Sequence, residues 1–108
     1  HPRNYGAFAR VLGRYVRDEG VLTLEEAVRK MTALPAERLR LTDRGTLAVG
    51  MIADLVVLDP ATIQDTAQFG DPHHYAEGVL HVWVSGRPVL TGGERTAERP
   101  GIALRHSR

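Results

Sequence analysis

The spacing of apolar residues changes once along this chain, at the step Asp43-Arg44-Gly45, and that change sets the fold class. Before it, apolar side chains recur with the 3.6-residue period of a helix; after it they form short β-branched runs broken by glycine and proline. The chain is therefore expected to be α+β, with N-terminal helices followed by a small antiparallel β-sheet. At 108 residues it fits one domain's length and is too short for a whole metal-dependent barrel enzyme.

In the first half, Tyr5, Phe8, Leu12, Tyr15 and Val16 share one face and predict a helix over residues 5–18, closed by Gly20. Arg10, Arg14 and Arg17 fall on its other side. Thr23-Leu24-Glu25-Glu26 reads as a capping box: the Thr23 hydroxyl takes the Glu26 N–H and the Glu26 carboxylate reaches back to the Thr23 N–H. Leu24, Ala27, Val28 and Met31 supply the buried stripe of that second helix, to about residue 33. Pro35 suits the first turn of a short third helix ending near residue 39.

Residues 46–49, 54–58 and 79–84 read as strands, separated by Gly50, Asp59-Pro60 and Gly78. Leu55-Val56-Val57-Leu58 is a continuous apolar run, the pattern of a strand covered on both faces. Val84-Ser85-Gly86-Arg87 is a two-residue hairpin signal, with residues 88–90 returning as an edge strand and Gly92-Gly93 ending it. The polar tail from Glu94 predicts a short docked piece around Ile102 to Leu104 and a frayed end.

Composition removes several function classes. A net charge of +1 gives little overall attraction to nucleic acid or anionic lipid. The Arg10, Arg14 and Arg17 face, with the Thr23-capped helix behind it, invites a helix-turn-helix reading. Asp18, Glu19, Glu25 and Glu26 lie beside that face, and cations near a helix carboxyl end are ordinary dipole compensation, so no nucleic acid is expected. No apolar run approaches the 18 residues of a membrane span, so no membrane association is expected. With no Cys there is no disulfide framework, thiolate nucleophile or zinc–cysteine site. GxSxG, GxxxxGK[ST] and GxGxxG signatures are also missing.

The order of segments resembles one family. HPRNYGAFARVLGRYVRDEG, then LTLEEAVRKMTALPAERL, then DRGTLAVGMIADLVVLDPATI, then VWVSGRPVL and a closing RPGIALR are similar to the carboxyl-terminal part of the N-acyl-D-amino-acid deacylases (D-aminoacylases) of the amidohydrolase superfamily. Gly50 to Asp59 is specific at superfamily level; His1 to Gly13 narrows the resemblance to the D-aminoacylase group. The resemblance implies a TIM-type (β/α)8 metal-dependent hydrolase barrel with one or two zinc ions and a β-sandwich built from both chain ends. It implies hydrolysis of an N-acyl-D-amino acid to a carboxylate and a D-amino acid, with zinc activating water. On this reading residues 1–44 supply the last barrel helices and residues 45–108 supply strands of the sandwich with a C-terminal tail.

The opening His1-Pro2-Arg3, without an initiator Met, fits a piece of a longer protein. The family's metal ligands have no counterpart here, so the piece by itself is expected to bind no zinc and to be inactive, with no catalytic or metal residue of its own. His1, Arg3 and Tyr5 match the family motif that follows its catalytic aspartate, which makes them candidate substrate-proximal residues, with Arg3 a partner for a substrate carboxylate. The competing role is bracing of the loop that leaves the last strand.

The residues read without the family agree. His1, His73, His74, His81 and His106 show neither i, i+4 nor i, i+2 ligand spacing. Asp71-Pro72-His73-His74 gathers a carboxylate and two imidazoles, and a solvated turn explains it better. Asp54 and Asp59 flank a strand and read as turn caps. His81 and Trp83 alternate with Leu80, Val82 and Val84 and read as packing. Three functions stay open: a cytoplasmic D-aminoacylase-type enzyme acting on an N-acyl-D-amino acid, a relative of hydantoinase or dihydroorotase type, and a structural module. In the last, unpaired strands would join copies into a homo-oligomer or strand-exchanged dimer.

Overall fold

The computed structural model describes residue 1 and residues 3–105; His106 lies outside the described residues. The elements run α1 (Arg3–Arg10), a π-helical continuation (Val11–Asp18), α2 (Leu24–Met31), α3 (Ala33–Arg38), β1 (Leu55–Leu58), β2 (Val79–Val84), β3 (Arg87–Thr91) and β4 (Glu94–Arg95). The fold is α+β, helices first and one four-stranded sheet in the order β1-β2-β3-β4 after them. By contacts the chain divides into two compact units, His1–Ala27 with Leu58–Val79, and Val28–Val57 with Leu80–Arg108.

The first helix covers the expected span, and its buried face agrees with the expected one at Leu12 but not at Phe8 and Tyr15. Phe8 is 70% exposed and Tyr15 is also exposed, while Gly6, Ala9, Leu12 and Gly13 are buried. The reason is close backbone approach. A Cβ on Gly6 would meet the Asp65 carboxylate, and one on Gly13 would meet the Ile63 carbonyl. Small residues therefore form most of the contact face, and the Phe8 and Tyr15 rings turn outward. From Val11 the helix widens, with the Glu19 N–H donating five residues back to the Arg14 carbonyl (2.8 Å), which shifts the 3.6-residue stripe out of register. Gly20 then ends the helix at φ 61°.

Helix α2 starts at the expected cap, with the Glu26 N–H donating to Thr23 Oγ1 (3.2 Å). The Glu26 carboxylate takes the Thr23 hydroxyl (3.2 Å) where the capping box predicts the Thr23 N–H. Ala27 is buried completely, whereas Val28 of the expected stripe is exposed. Helix α3 closes through Arg40 at φ 56°, with the Leu41 N–H on the Ala36 carbonyl (2.8 Å), a Schellman-type end without its usual glycine.

Three strand expectations change. Residues 46–49 form no strand: they are exposed bends and turns leading to Gly50. Strand β3 is interior, because Gly92 and Gly93, at φ 58° and 84°, turn the chain back so that β4 pairs with it at Leu90↔Arg95 and Thr91↔Glu94. Strand β1 is not covered on both faces, since Val56 and Val57 are 56% and 41% exposed; its continuous apolar run marks surface that these residues do not cover. The 84–87 hairpin forms as predicted, with Ser85 and Gly86 at φ 51° and 75° and Val84 paired with Arg87. Ile102 and Leu104 are exposed, so the expected docked piece of the tail does not form.

Candidate functional site

The unit formed by His1–Ala27 and Leu58–Val79 holds the candidate residues. Its centre is Ile63, 2% exposed, which carries the loop between β1 and β2 against Gly13 and Gly78. Arg17 fastens the start of that loop: one guanidinium nitrogen donates to the carbonyls of Pro60 (3.3 Å), Ala61 (3.2 Å) and Ile63 (2.7 Å). Beyond Ile63 the loop is a narrow two-armed excursion. Gln64 and Glu77 exchange backbone bonds at 3.1 and 3.0 Å, and Gln68 and Asp71 do the same at its tip.

The N-terminal segment lies on this loop. The Arg3 N–H donates to His1 Nδ1 (3.1 Å), which satisfies one free donor at the start of α1. The His1 ring meets Phe69 edge-on at 5.1 Å. The Tyr5 hydroxyl is hydrogen-bonded to His73 Nδ1 (2.8 Å), with the two rings perpendicular at 5.3 Å. Thus His1 and Tyr5 are both engaged by the loop, and Arg3 sits between them.

A cavity of about 450 Å³ opens here, lined among others by His1, Arg3, Arg10, Asp65, Gln68 and Phe69. Asp65 is its one carboxylate. Its side chain is 5% exposed and already occupied, by the Ala67 N–H (2.8 Å) and by Arg10 (3.9 Å). Among the described residues Arg3 has no carboxylate partner. The cavity is net cationic, so it suits an anion, and a planar carboxylate matches a guanidinium best. A second opening of about 460 Å³ along Arg10, Arg14 and Arg17 also involves Asp18 and Glu19. There Glu19 holds the Arg14 guanidinium above its ordinary range, first by a 2.8 Å hydrogen bond and then by its charge. Acid and base cancel on that face, as expected of a solvated helix end.

The other candidates disperse. In Asp71-Pro72-His73-His74, His74 Nε2–H donates to Asp71 Oδ2 (2.6 Å) while His73 turns to Tyr5. His81 accepts the Gly92 N–H at Nδ1 (3.1 Å) and lies beside Trp83. Asp54 accepts the Ser85 N–H (2.9 Å) and pairs with Arg44 (3.0 Å), and Asp59 caps the Ala61 N–H (2.9 Å). Among the described residues no three His, Asp or Glu side chains gather as metal ligands would. Sequence reasoning missed Asp65 and the pairing of Tyr5 with His73; a partner 68 residues away leaves no local signal.

Residues 1–90 match the sequence profile of the Amidohydrolase family. The chain is 48% identical to the N-acyl-D-aspartate deacylase of Alcaligenes xylosoxydans xylosoxydans, over 96% of this chain and 21% of that protein. It is 50% identical to the D-aminoacylase of the same organism, over 96% of this chain and 22% of that one. Among solved structures it superimposes on N-acyl-D-glutamate deacylase from Bordetella bronchiseptica, complexed with zinc and a phosphonate inhibitor. That match has a TM-score of 0.91 at 46% identity and covers 97% of this chain and 22% of that one. The chain thus spans about a fifth of the length of the relatives it matches.

Proposed function

This chain belongs to the amidohydrolase family, and on that basis we propose that it is the carboxyl-terminal portion of a zinc-dependent, cytoplasmic hydrolase. Its substrate is an N-acyl-D-amino acid, split into a carboxylate and a D-amino acid. The observation that carries the reading is 48–50% identity to two deacylases of this kind over 96% of this chain, combined with a cationic cavity lined by His1 and Arg3. In the same proposal residues 1–44 close the barrel and residues 45–108 belong to the small β-sandwich.

Zinc does not fit the donor set of this chain: among the described residues no three His, Asp or Glu side chains gather, and His73, His74 and Asp54 are each engaged by another partner. We place the metal with residues outside these 108. The contribution of this chain is to substrate binding: Arg3 receives the substrate carboxylate, His1 lies beside it, and Tyr5 fixes the segment.

The test is to express the longer protein and follow D-amino acid release from N-acetyl-D-amino acids. Turnover should vanish with a chelator and return with zinc. Hydrolysis confined to L-substrates, or to cyclic imides or dihydroorotate, would overturn the reading. The 108-residue chain alone should release nothing.

A second reading has one observation in its favour. Strand β1 is the edge of the sheet and exposes Val56 and Val57, so the isolated chain should self-associate through that edge. Light scattering that shows a monomer at every concentration would remove it.

A further inference from the structure

The loop between Ile63 and Gly78 holds His1 and Tyr5, the residues two positions either side of Arg3. We propose that His73, acting through Tyr5, and Phe69, acting through His1, are positioning residues that fix the Arg3 guanidinium for a substrate carboxylate. The inference rests on the deacylase reading above and extends it to residues more than sixty positions away in the chain.

Three features carry it. First, the segment is anchored two residues before and two residues after Arg3, at His1 and Tyr5, and the contacts differ in kind: an edge-on ring contact at 5.1 Å and a hydrogen bond of 2.8 Å. Second, the loop that supplies them is braced by its own bonds. Gln64 pairs with Glu77, Gln68 with Asp71, and the Thr66 hydroxyl donates to the Tyr75 carbonyl (2.9 Å). Third, Arg10 in the same cavity is engaged by Asp65, whereas Arg3 has no carboxylate partner among the described residues. A guanidinium on an unanchored segment would lose conformational freedom on binding, which weakens affinity; one on a segment anchored on both sides has lost part of that freedom beforehand.

The Tyr5 hydroxyl is hydrogen-bonded to His73, and the role assigned to it is to position the segment rather than to touch the reacting atoms. That separates a positioning role from a catalytic one, because loss of the bond should affect binding far more than turnover.

The experiment uses the full-length enzyme and an N-acetyl-D-amino acid. His73→Ala is expected to raise KM at least about tenfold with kcat within about twofold, and Tyr5→Phe to do the same. The double variant should be no worse than either single one, since both remove one bond. His73→Asn, whose amide restores a hydrogen-bonding partner for the hydroxyl, should recover most of the affinity. His74→Ala is the control: it breaks only an exposed pair with Asp71 and should leave KM unchanged. An unchanged KM in His73→Ala, additive effects in the double variant, or an equal effect of His74→Ala would overturn the proposal.

If the wild-type enzyme hydrolyses no N-acyl-D-amino acid, the deacylase reading fails, and the clamp is judged by hydrogen–deuterium exchange of residues 1–10. Faster exchange in His73→Ala and Tyr5→Phe but not in His74→Ala supports it. Equal exchange in all three overturns it.

Discussion

The two compact units of this chain are built by different means. The unit of His1–Ala27 and Leu58–Val79 is organised around buried side chains: Ala9, Leu12, Ala27, Ile63 and Ala67 are all in its core, and glycines let backbones touch. In the unit of Val28–Val57 and Leu80–Arg108, Ala36 is the buried apolar residue among those described, while Leu47, Val49, Val56, Val57 and Leu80 are exposed. That second unit is held by strand pairing, hairpin turns and caps. The difference shows that regular secondary structure can form where little apolar area is removed from water, and that such a region presents its apolar residues to something else. The candidate site lies in the unit with the core, where close contact can hold a side chain in one place.

Changes that intrude on backbone contact should separate the two units most sharply. Gly78→Ala in the first unit places a Cβ on the Ile63 backbone at φ 90° and is expected to cost about 3 kcal/mol or more. Urea unfolding followed by circular dichroism measures it; a midpoint like that of the wild type would break the comparison. Arg17→Met, also in the first unit, leaves three loop carbonyls without their donor and should cost about 2 kcal/mol in the same assay.

Gly86→Ala is the matched change in the second unit. Its Cβ would meet nothing closer than Ala53 Cβ at 4.0 Å, so only the φ of 75° is penalised, by about 1 kcal/mol. A loss as large as that of Gly78→Ala would show that the hairpin is packed rather than merely paired. The smallest effect runs the other way. Arg40→Gly relieves a left-handed arginine at the end of α3 and should stabilise by about 0.5–1 kcal/mol, read as a rise in the thermal midpoint.

Legibility followed the range of the interaction. The Thr23 cap, the Ser85-Gly86 turn and the Asp59 cap depend on residues two or three apart, and their chemistry was evident in the sequence. Strand β4 was missed because a two-residue strand has no period to detect. Residues 46–49 carry strand-forming side chains yet form no strand, since propensity without a pairing partner does not make a ladder. In the candidate site, His1, Arg3 and Tyr5 were recognisable through a family motif. Their anchors on Phe69 and His73 were not, because those contacts exist only once the loop has folded back.

The sequence by itself determined that helices precede strands, the chemistry of the Thr23 cap and the Ser85-Gly86 turn, and the family, since all of these are written in local spacing and short motifs. Only the tertiary structure decided which residues of the first helix are buried and that Tyr5 belongs to His73. Those outcomes depend on which distant backbones approach closely enough to exclude a side chain or share a proton, and nothing in a linear period encodes that distance.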